Sequence, residues 1–307
     1  MKPFARVSFA LLALAAAAAP AAAAPPGQYR TEGDCAGFPR VNLKTAPGLC
    51  VGLVASHLGF ARGVAAIGDA VYVADMGGWH SGKGRILRLA EGGHGKLEVV
   101  LGGLNQPNGM VPGPDGSLYV GESGRVIRFD PAAASPRQSV RVVLDGLAMP
   151  HSPRWHDGRL WVLNSGHGQL LRLDGRGGAD VVCELPGYLR GLCFVNGYAL
   201  IGLCKIRESN VFGGMPVQQR HAELLCGVAV VSLRSGKRVG TLSFTSGCTE
   251  IYDIRFLAGI HRPNIVNMGM EEARKGVDVP GLACWLPSDQ KMRQAAEQRS
   301  DSQYNSP

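Results

Sequence analysis

The sequence predicts an all-β fold, a β-propeller of six four-stranded blades, and three observations carry that prediction. Along residues 149–174 apolar positions alternate with polar ones: Leu160 and Val162, a Ser165–Gly168 turn, then Leu171 and Leu173. That two-residue period belongs to a strand hairpin with one face on a core. The same pattern recurs elsewhere. Gln106-Pro107-Asn108-Gly109 precedes Pro114–Val120 and Ser123–Asp130, Ala61-Arg62-Gly63 precedes Asp69–Asp75 and Gly84–Leu89, and Tyr188–Gly191 precedes Asn196–Gly202. With Tyr72, Tyr119 and Trp161 as equivalent positions the repeats lie 47 and 42 residues apart, the length of one propeller blade. Finally, 43 glycines and 19 prolines punctuate these short runs, whereas a solenoid of helix pairs needs an apolar period of about 3.6 residues and few glycines.

Taken in order, residues 1–24 carry Lys2 and Arg6, an apolar run from Val7 through Ala19, and small residues that offer an Ala-x-Ala cleavage point near 22–24. This is the layout of a secretory signal. The run is Ala-heavy and too short to span about 30 Å of hydrocarbon comfortably, so the mature chain is expected to carry no transmembrane segment and to be periplasmic or secreted. Residues 25–285 are expected to form a single propeller domain. Within it Cys226–Leu233 and Val239–Leu242 read as a hairpin and Glu250–Phe256 as a further inner strand. Residues 286–307 are polar and almost free of apolar side chains, the composition of a disordered tail.

Removing the signal lowers the formal charge from +8 to +6. The remaining Lys and Arg are dispersed, with no basic run and no patch interleaved with aromatics, which argues against a nucleic-acid partner. Eight cysteines in an exported chain favour disulfides. Cys35 and Cys50 flank a short segment before the first repeat and are the favoured pair, while Cys183, Cys193, Cys204 and Cys226 fall in or near strands and read as buried thiols. No Cys-x-x-Cys or Cys/His spacing suggests zinc.

In a propeller the innermost strand of each blade lines an axial channel. The residues recurring just before each unit, Arg62, Asn108, His151 and Arg190, with Tyr252 or Asp253 as a fifth, are therefore expected to meet at one mouth of it. Any one of them alone could be satisfying backbone groups in a tight turn. Guanidinium forks suit an anionic cofactor held by its carboxylates, with a small-molecule substrate beside it. His151, with Arg154 nearby to keep it unprotonated, can serve as a general base; His156 and His167 are less well placed. Lys205 and Arg207 follow the fourth unit, either beside the mouth or in a solvated loop. A second set at the far ends of the next strands, Asp75, Glu122 and Asn164, offers the hard oxygens that calcium takes, although acids at such places also bind turn amides.

Two resemblances divide the chain. Residues 27–130, through Gly59-Phe60-Ala61-Arg62-Gly63, the Tyr72-Val73-Ala74-Asp75 strand and Leu104-Asn105-Gln106-Pro107 to Tyr119-Val120-Gly121, resemble the soluble PQQ-dependent glucose/sorbosone dehydrogenases, which are secreted six-bladed propellers. The resemblance implies pyrroloquinoline quinone (PQQ) bound by Arg and Lys, calcium polarising it, and a His that takes the substrate hydroxyl proton as hydride passes to the quinone. His151-Ser152-Pro153-Arg154 ahead of Asp157-Gly158-Arg159-Leu160-Trp161 has a similar layout to the segment of that His. By that reading Arg62, Asn108, Arg190, Lys205 and Arg207 bind cofactor. Residues 146–267, through His151-Ser152-Pro153-Arg154-Trp155, Leu163-Asn164-Ser165-Gly166, Lys205-Ile206-Arg207-Glu208-Ser209 and Ala222–Val228, resemble an uncharacterised bacterial propeller-like family with no settled activity. Three functions follow: a PQQ-dependent sugar or aldehyde dehydrogenase, a calcium-dependent lactonase-type hydrolase, or a non-catalytic propeller binding a glycan or protein partner.

Overall fold

The computed structural model describes residues 30–43, 45, 48–206 and 213–259, and the backbone of 276–279 and 282–285. The expected signal segment, Arg207 and the tail 286–307 lie outside the described residues. The chain divides into two compact units, Met1–Leu53 and Val54–Pro307. In the first, β1 (Thr31–Cys35) and β2 (Phe38–Val41) pair as an antiparallel hairpin, and Cys35 is disulfide-bonded to Cys50, the pair favoured from sequence.

The second unit holds four four-stranded antiparallel sheets, each a meander of consecutive strands. They comprise β3 (Ala61–Ile67), β4 (Ala70–Asp75), β5 (Gly84–Leu89) and β6 (Glu98–Leu104); then β7 (Gly109–Pro112), β8 (Leu118–Gly121), β9 (Val126–Phe129) and β10 (Arg141–Leu144). The third has β11 (Pro150–His156), β12 (Arg159–Asn164), β13 (Gln169–Leu173) and β14 (Ala179–Glu184), and the fourth β15 (Tyr188–Val195), β16 (Tyr198–Cys204), β17 (Gly227–Ser232) and β18 (Arg238–Ser243). A separate hairpin joins β19 (Gly276–Val279) to β20 (Leu282–Trp285). Asp157–Gly158 and Asn196–Gly197 turn the hairpins β11–β12 and β15–β16 with all four residues at positive φ, the primed turn that Asp-Gly and Asn-Gly pairs favour.

The two-residue period decides how the sheets stack. In β8, Leu118 and Val120 share one apolar cluster with Ile86, Leu101 and Leu104 of the first sheet, while Tyr119 joins Leu160, Val162 and Leu173 of the third. In β12, Trp161 and Leu163 point the other way and meet Leu189, Leu192, Ile201 and Leu203 of the fourth. Middle strands are thus buried on both faces, between neighbouring sheets. The first strands β3, β7, β11 and β15 contact one another in sequence order. Face-to-face antiparallel sheets with their first strands innermost are propeller blades.

The inner strand expected over 250–256 is absent, because residues 250–257 join no ladder. Arg190 and Arg154 engage the side chains of Glu250 and Asp253 instead, and the Ile251 N–H bonds Cys204 Sγ at 3.2 Å. The segment still fills a fifth inner position between β15 and β3. Asp253 and Ile254 pack on Gly191, and the Tyr252 hydroxyl donates to the Arg62 carbonyl at 2.8 Å. Among the described residues four blades are complete, and five inner segments surround the centre.

Candidate functional site

Three of the four inner strands break register near the same end. The shifts fall between Ala61 and Gly63, His151 and Arg154, and Leu189 and Leu192. A bulge leaves its extra residue outside the ladder and re-aims side chains, here around Arg62, Ser152 and Arg190. The inner strands also approach unusually closely at this end. A Cβ on Gly109 would stand 3.2 Å from Ser152 N, and one on Gly191, at φ +81°, only 2.8 Å from Ile254 N. Glycine is what permits both approaches. Ser152 itself takes φ 52°, and its Oγ accepts the Gly191 N–H at 3.0 Å.

These side chains line one cavity of about 520 Å³, within the usual range of small-molecule sites. Arg62, Asn108, His151, Arg154, Arg190 and Lys205 all stand on its wall, together with Tyr252 and Asp253. With Arg255 the described lining carries five cationic side chains against two carboxylates, Glu250 and Asp253. The cations are not equivalent. Arg190 pairs with Glu250 and stacks 4.6 Å from the Tyr252 ring centroid. Arg154 and Arg255 share Asp253 at 3.2 and 2.9 Å, and Lys205 lies 3.8 Å from Glu223. Arg62 pairs with no described carboxylate; its guanidinium is held instead by the rings of Phe60 and Trp79 at 5.8 and 5.6 Å, an arrangement that orients the cation without neutralising it.

His151 Nδ1 lies 2.8 Å from the Met149 carbonyl, 3.1 Å from Ser165 Oγ and 3.4 Å from the Tyr188 hydroxyl. A carbonyl only accepts, so Nδ1 carries the proton and Nε2 keeps its lone pair. Burial, then Arg190, then Arg62 push the His151 pKa down to about 3 against the opposing Met149 hydrogen bond. The cation sequence reasoning assigned to this effect, Arg154, is not among its causes. Asn108 is 8 % exposed, with Nδ2 donating to the Gln106 carbonyl at 3.2 Å and Oδ1 buried without a described partner. The wall thus presents a guanidinium with no described carboxylate partner and an unprotonated imidazole, while the Asn108 Oδ1 is buried behind it.

Asp75, Glu122 and Asn164, expected as a calcium ring, are not among the described residues lining this cavity, and their oxygens are engaged within their own blades. Asp75 accepts the N–H groups of Gly59, Phe60 and Gly77 at 3.1, 2.7 and 3.1 Å and pairs with Arg85 at 2.9 Å. Glu122 accepts the Asn105 N–H at 2.7 Å and pairs with Arg125 at 2.5 Å. Asn164 accepts the Ala148 N–H at 2.8 Å and donates to Gln169 at 3.0 Å. Each ties the loop entering its blade to the second and third strands. Cys204 holds the corresponding place in the fourth blade. Among the described residues no group of three or more His, Cys, Asp or Glu is arranged to hold a metal.

Sequence reasoning did not single out Trp79, Glu250, Tyr188 or Arg255 as wall residues. Trp79 and Arg255 lie outside the repeat, and Glu250 reaches Arg190 over 60 residues, so spacing gave no signal for them. Tyr188 was readable, since it stands immediately before the Leu189-Arg190-Gly191 copy of the repeat.

Residues 136–266 match a family described as a domain of unknown function, DUF4915. No curated protein matches. Among solved structures, an oxidoreductase from Thermus thermophilus, provisionally named a glucose dehydrogenase, is 19 % identical, covering 68 % of this chain and 79 % of its own, with a TM-score of 0.46. A protein provisionally named a gluconolactonase is 16 % identical over 65 % of this chain and 82 % of its own, at 0.40. Regucalcin, a calcium-binding protein from Agrobacterium tumefaciens, is 21 % identical over 51 % and 56 %, at 0.39. These are likenesses, and none transfers an activity to this chain.

Proposed function

We propose that this protein is an exported propeller whose inner cavity binds a carboxylate-bearing small molecule, and that its redox form is a PQQ-dependent sugar or aldehyde dehydrogenase. The observation that carries the reading is Arg62, a cation oriented by two aromatic rings on the cavity wall, with no described carboxylate to neutralise it. Guanidinium recognises carboxylate bidentately.

The donor set fits the quinone's carboxylates at Arg62 and, where Glu250 can be displaced, at Arg190. It does not fit calcium at Asp75, Glu122 and Asn164, whose oxygens already hold their own blades. A bound quinone would supply hydride acceptance. His151 would take the substrate hydroxyl proton at Nε2, and the wall makes that conditional. Burial first, then Arg190 and Arg62, leaves His151 too weak a base near neutral pH. An anion on those two cations would offset their part of the shift and raise the pKa, leaving the larger part due to burial. The same loss of free oxygens at Asp75, Glu122 and Asn164 leaves the calcium-dependent hydrolase without a support.

Export accords with the Cys35–Cys50 disulfide, and no described helix is long and apolar enough to cross a membrane. The test is calorimetric titration of the purified protein with PQQ and, in parallel, with simple sugar acids. Arg62→Ala should weaken binding by roughly tenfold to a hundredfold, the ~1.5–3 kcal/mol of a charge-assisted bond. Unchanged affinity would remove the anion site. Binding of sugar acids but not of PQQ would retain the site and end the dehydrogenase form.

A further inference from the structure

Cys226 and Cys248 take no part in the cavity wall, yet their sulfurs stand 3.7 Å apart across 22 residues of sequence. Cys226 immediately precedes β17 and is 1 % exposed, whereas Cys248 follows β18 and is partly exposed. Bonding requires a separation of about 2.05 Å. The side that must move belongs to no ladder. Residues 244–257 are fixed nearby by Phe244 N–H to Cys226 O at 2.8 Å, Lys205 N–H to Thr249 O at 2.9 Å and Ile251 N–H to Cys204 Sγ at 3.2 Å.

We propose that Cys226 and Cys248 are a redox-active dithiol that closes to a disulfide by exchange with a small disulfide oxidant of the glutathione-disulfide class, stapling the 244–256 segment to β17. Cys248, the accessible sulfur, attacks as its thiolate. The oxidant's S–S bond breaks, a mixed disulfide forms on Cys248, and one thiol leaves with the proton Cys248 gave up. Cys226 then attacks Cys248 Sγ, and the second thiol leaves with the proton of Cys226. Two protein thiols are oxidised and one disulfide is reduced to two thiols. The order follows from access and acidity, because burial first, then the neighbouring Cys248, pushes the Cys226 thiol up to about 11 and leaves it a poor first nucleophile.

The stapled segment bears Glu250 and Asp253, the partners of Arg190 and Arg154. Oxidation therefore fixes the part of the wall that neutralises two of the cavity's cations. This consequence follows from the wall's geometry and does not depend on which ligand occupies the cavity.

The test uses the full chain purified under reductant, then exchanged into glutathione disulfide and digested with trypsin without reduction. The expected product joins His221–Arg234 to Val239–Arg255 and is two hydrogens lighter than the separate peptides. Cys204→Ser should retain it. Amide exchange over 244–256 should slow by roughly tenfold on oxidation. Two observations on the unsubstituted chain would overturn the proposal: both thiols still open to alkylation after oxidation, or Cys226 joined to a different cysteine. A bridge that forms with no change in exchange over 244–256 would overturn the stapling.

Discussion

At the scale of single residues, the state of His151 is set by burial, one short contact and two neighbouring charges. The Met149 carbonyl fixes the tautomer, and burial with Arg190 and Arg62 keeps the ring neutral. Unfolded, the same side chain titrates near 6.5; folded, it accepts a proton only at about 3. Between those values the unfolded chain binds up to one more proton. Stability should therefore be fully present above pH 6.5 and fall as the pH drops toward 3, with a slope of at most about 1.4 kcal/mol per pH unit from this group. His151→Gln should show a shallower loss between pH 6.5 and 4 in urea unfolding. Parallel profiles for the two proteins would mean that His151 is not held neutral.

The next scale is the blade. Asp75 shows what holds a blade's ends together: burial alone would raise its carboxyl, but bonds from Gly59, Arg85, Phe60 and Gly77 outweigh that and hold it below the usual carboxylate range. Asp75→Ala removes the acceptor for three backbone N–H groups and strands the Arg85 charge. The expected cost is ~3 kcal/mol or more, read as a lowered urea midpoint with an unchanged m-value. Adding millimolar calcium should leave the melting temperature of the unsubstituted protein where it was. A clear rise, lost in Asp75→Ala, would return this residue to the role of a metal ligand. The alternation in β8 and β12 belongs to this scale too, since shifting either strand by one residue would exchange the sheets its side chains face.

Across the second unit, the fifth of the described inner segments is chain that forms no strand. Tyr252 reaches the Arg62 carbonyl across 190 residues of sequence, and Asp253 reaches Arg154 across 99. Such contacts stabilise little individually but join the 250–257 segment to the first and third blades. Tyr252→Phe should cost about 1 kcal/mol and speed amide exchange in both 61–67 and 250–256. An effect confined to 250–256 would show that the closure does not couple the two.

The sequence by itself determined the blades and the convergence of Arg62, Asn108, His151 and Arg190. A two-residue period, Asp-Gly and Asn-Gly turns, and small residues after each repeated polar residue are local properties, and local sterics enforce them whatever lies far along the chain. Only the tertiary structure decided which of the gathered charges remain active. Glu250 and Asp253 neutralise Arg190 and Arg154 from a segment with no repeat and no ladder, while Arg62 packs on aromatic rings and pairs with no described carboxylate. The tertiary structure also set the partners of Asp75, Glu122 and Asn164, whose oxygens tie the ends of their own blades. A carboxylate's partners are set by what folding brings within about 3 Å, and spacing along the chain does not encode that distance.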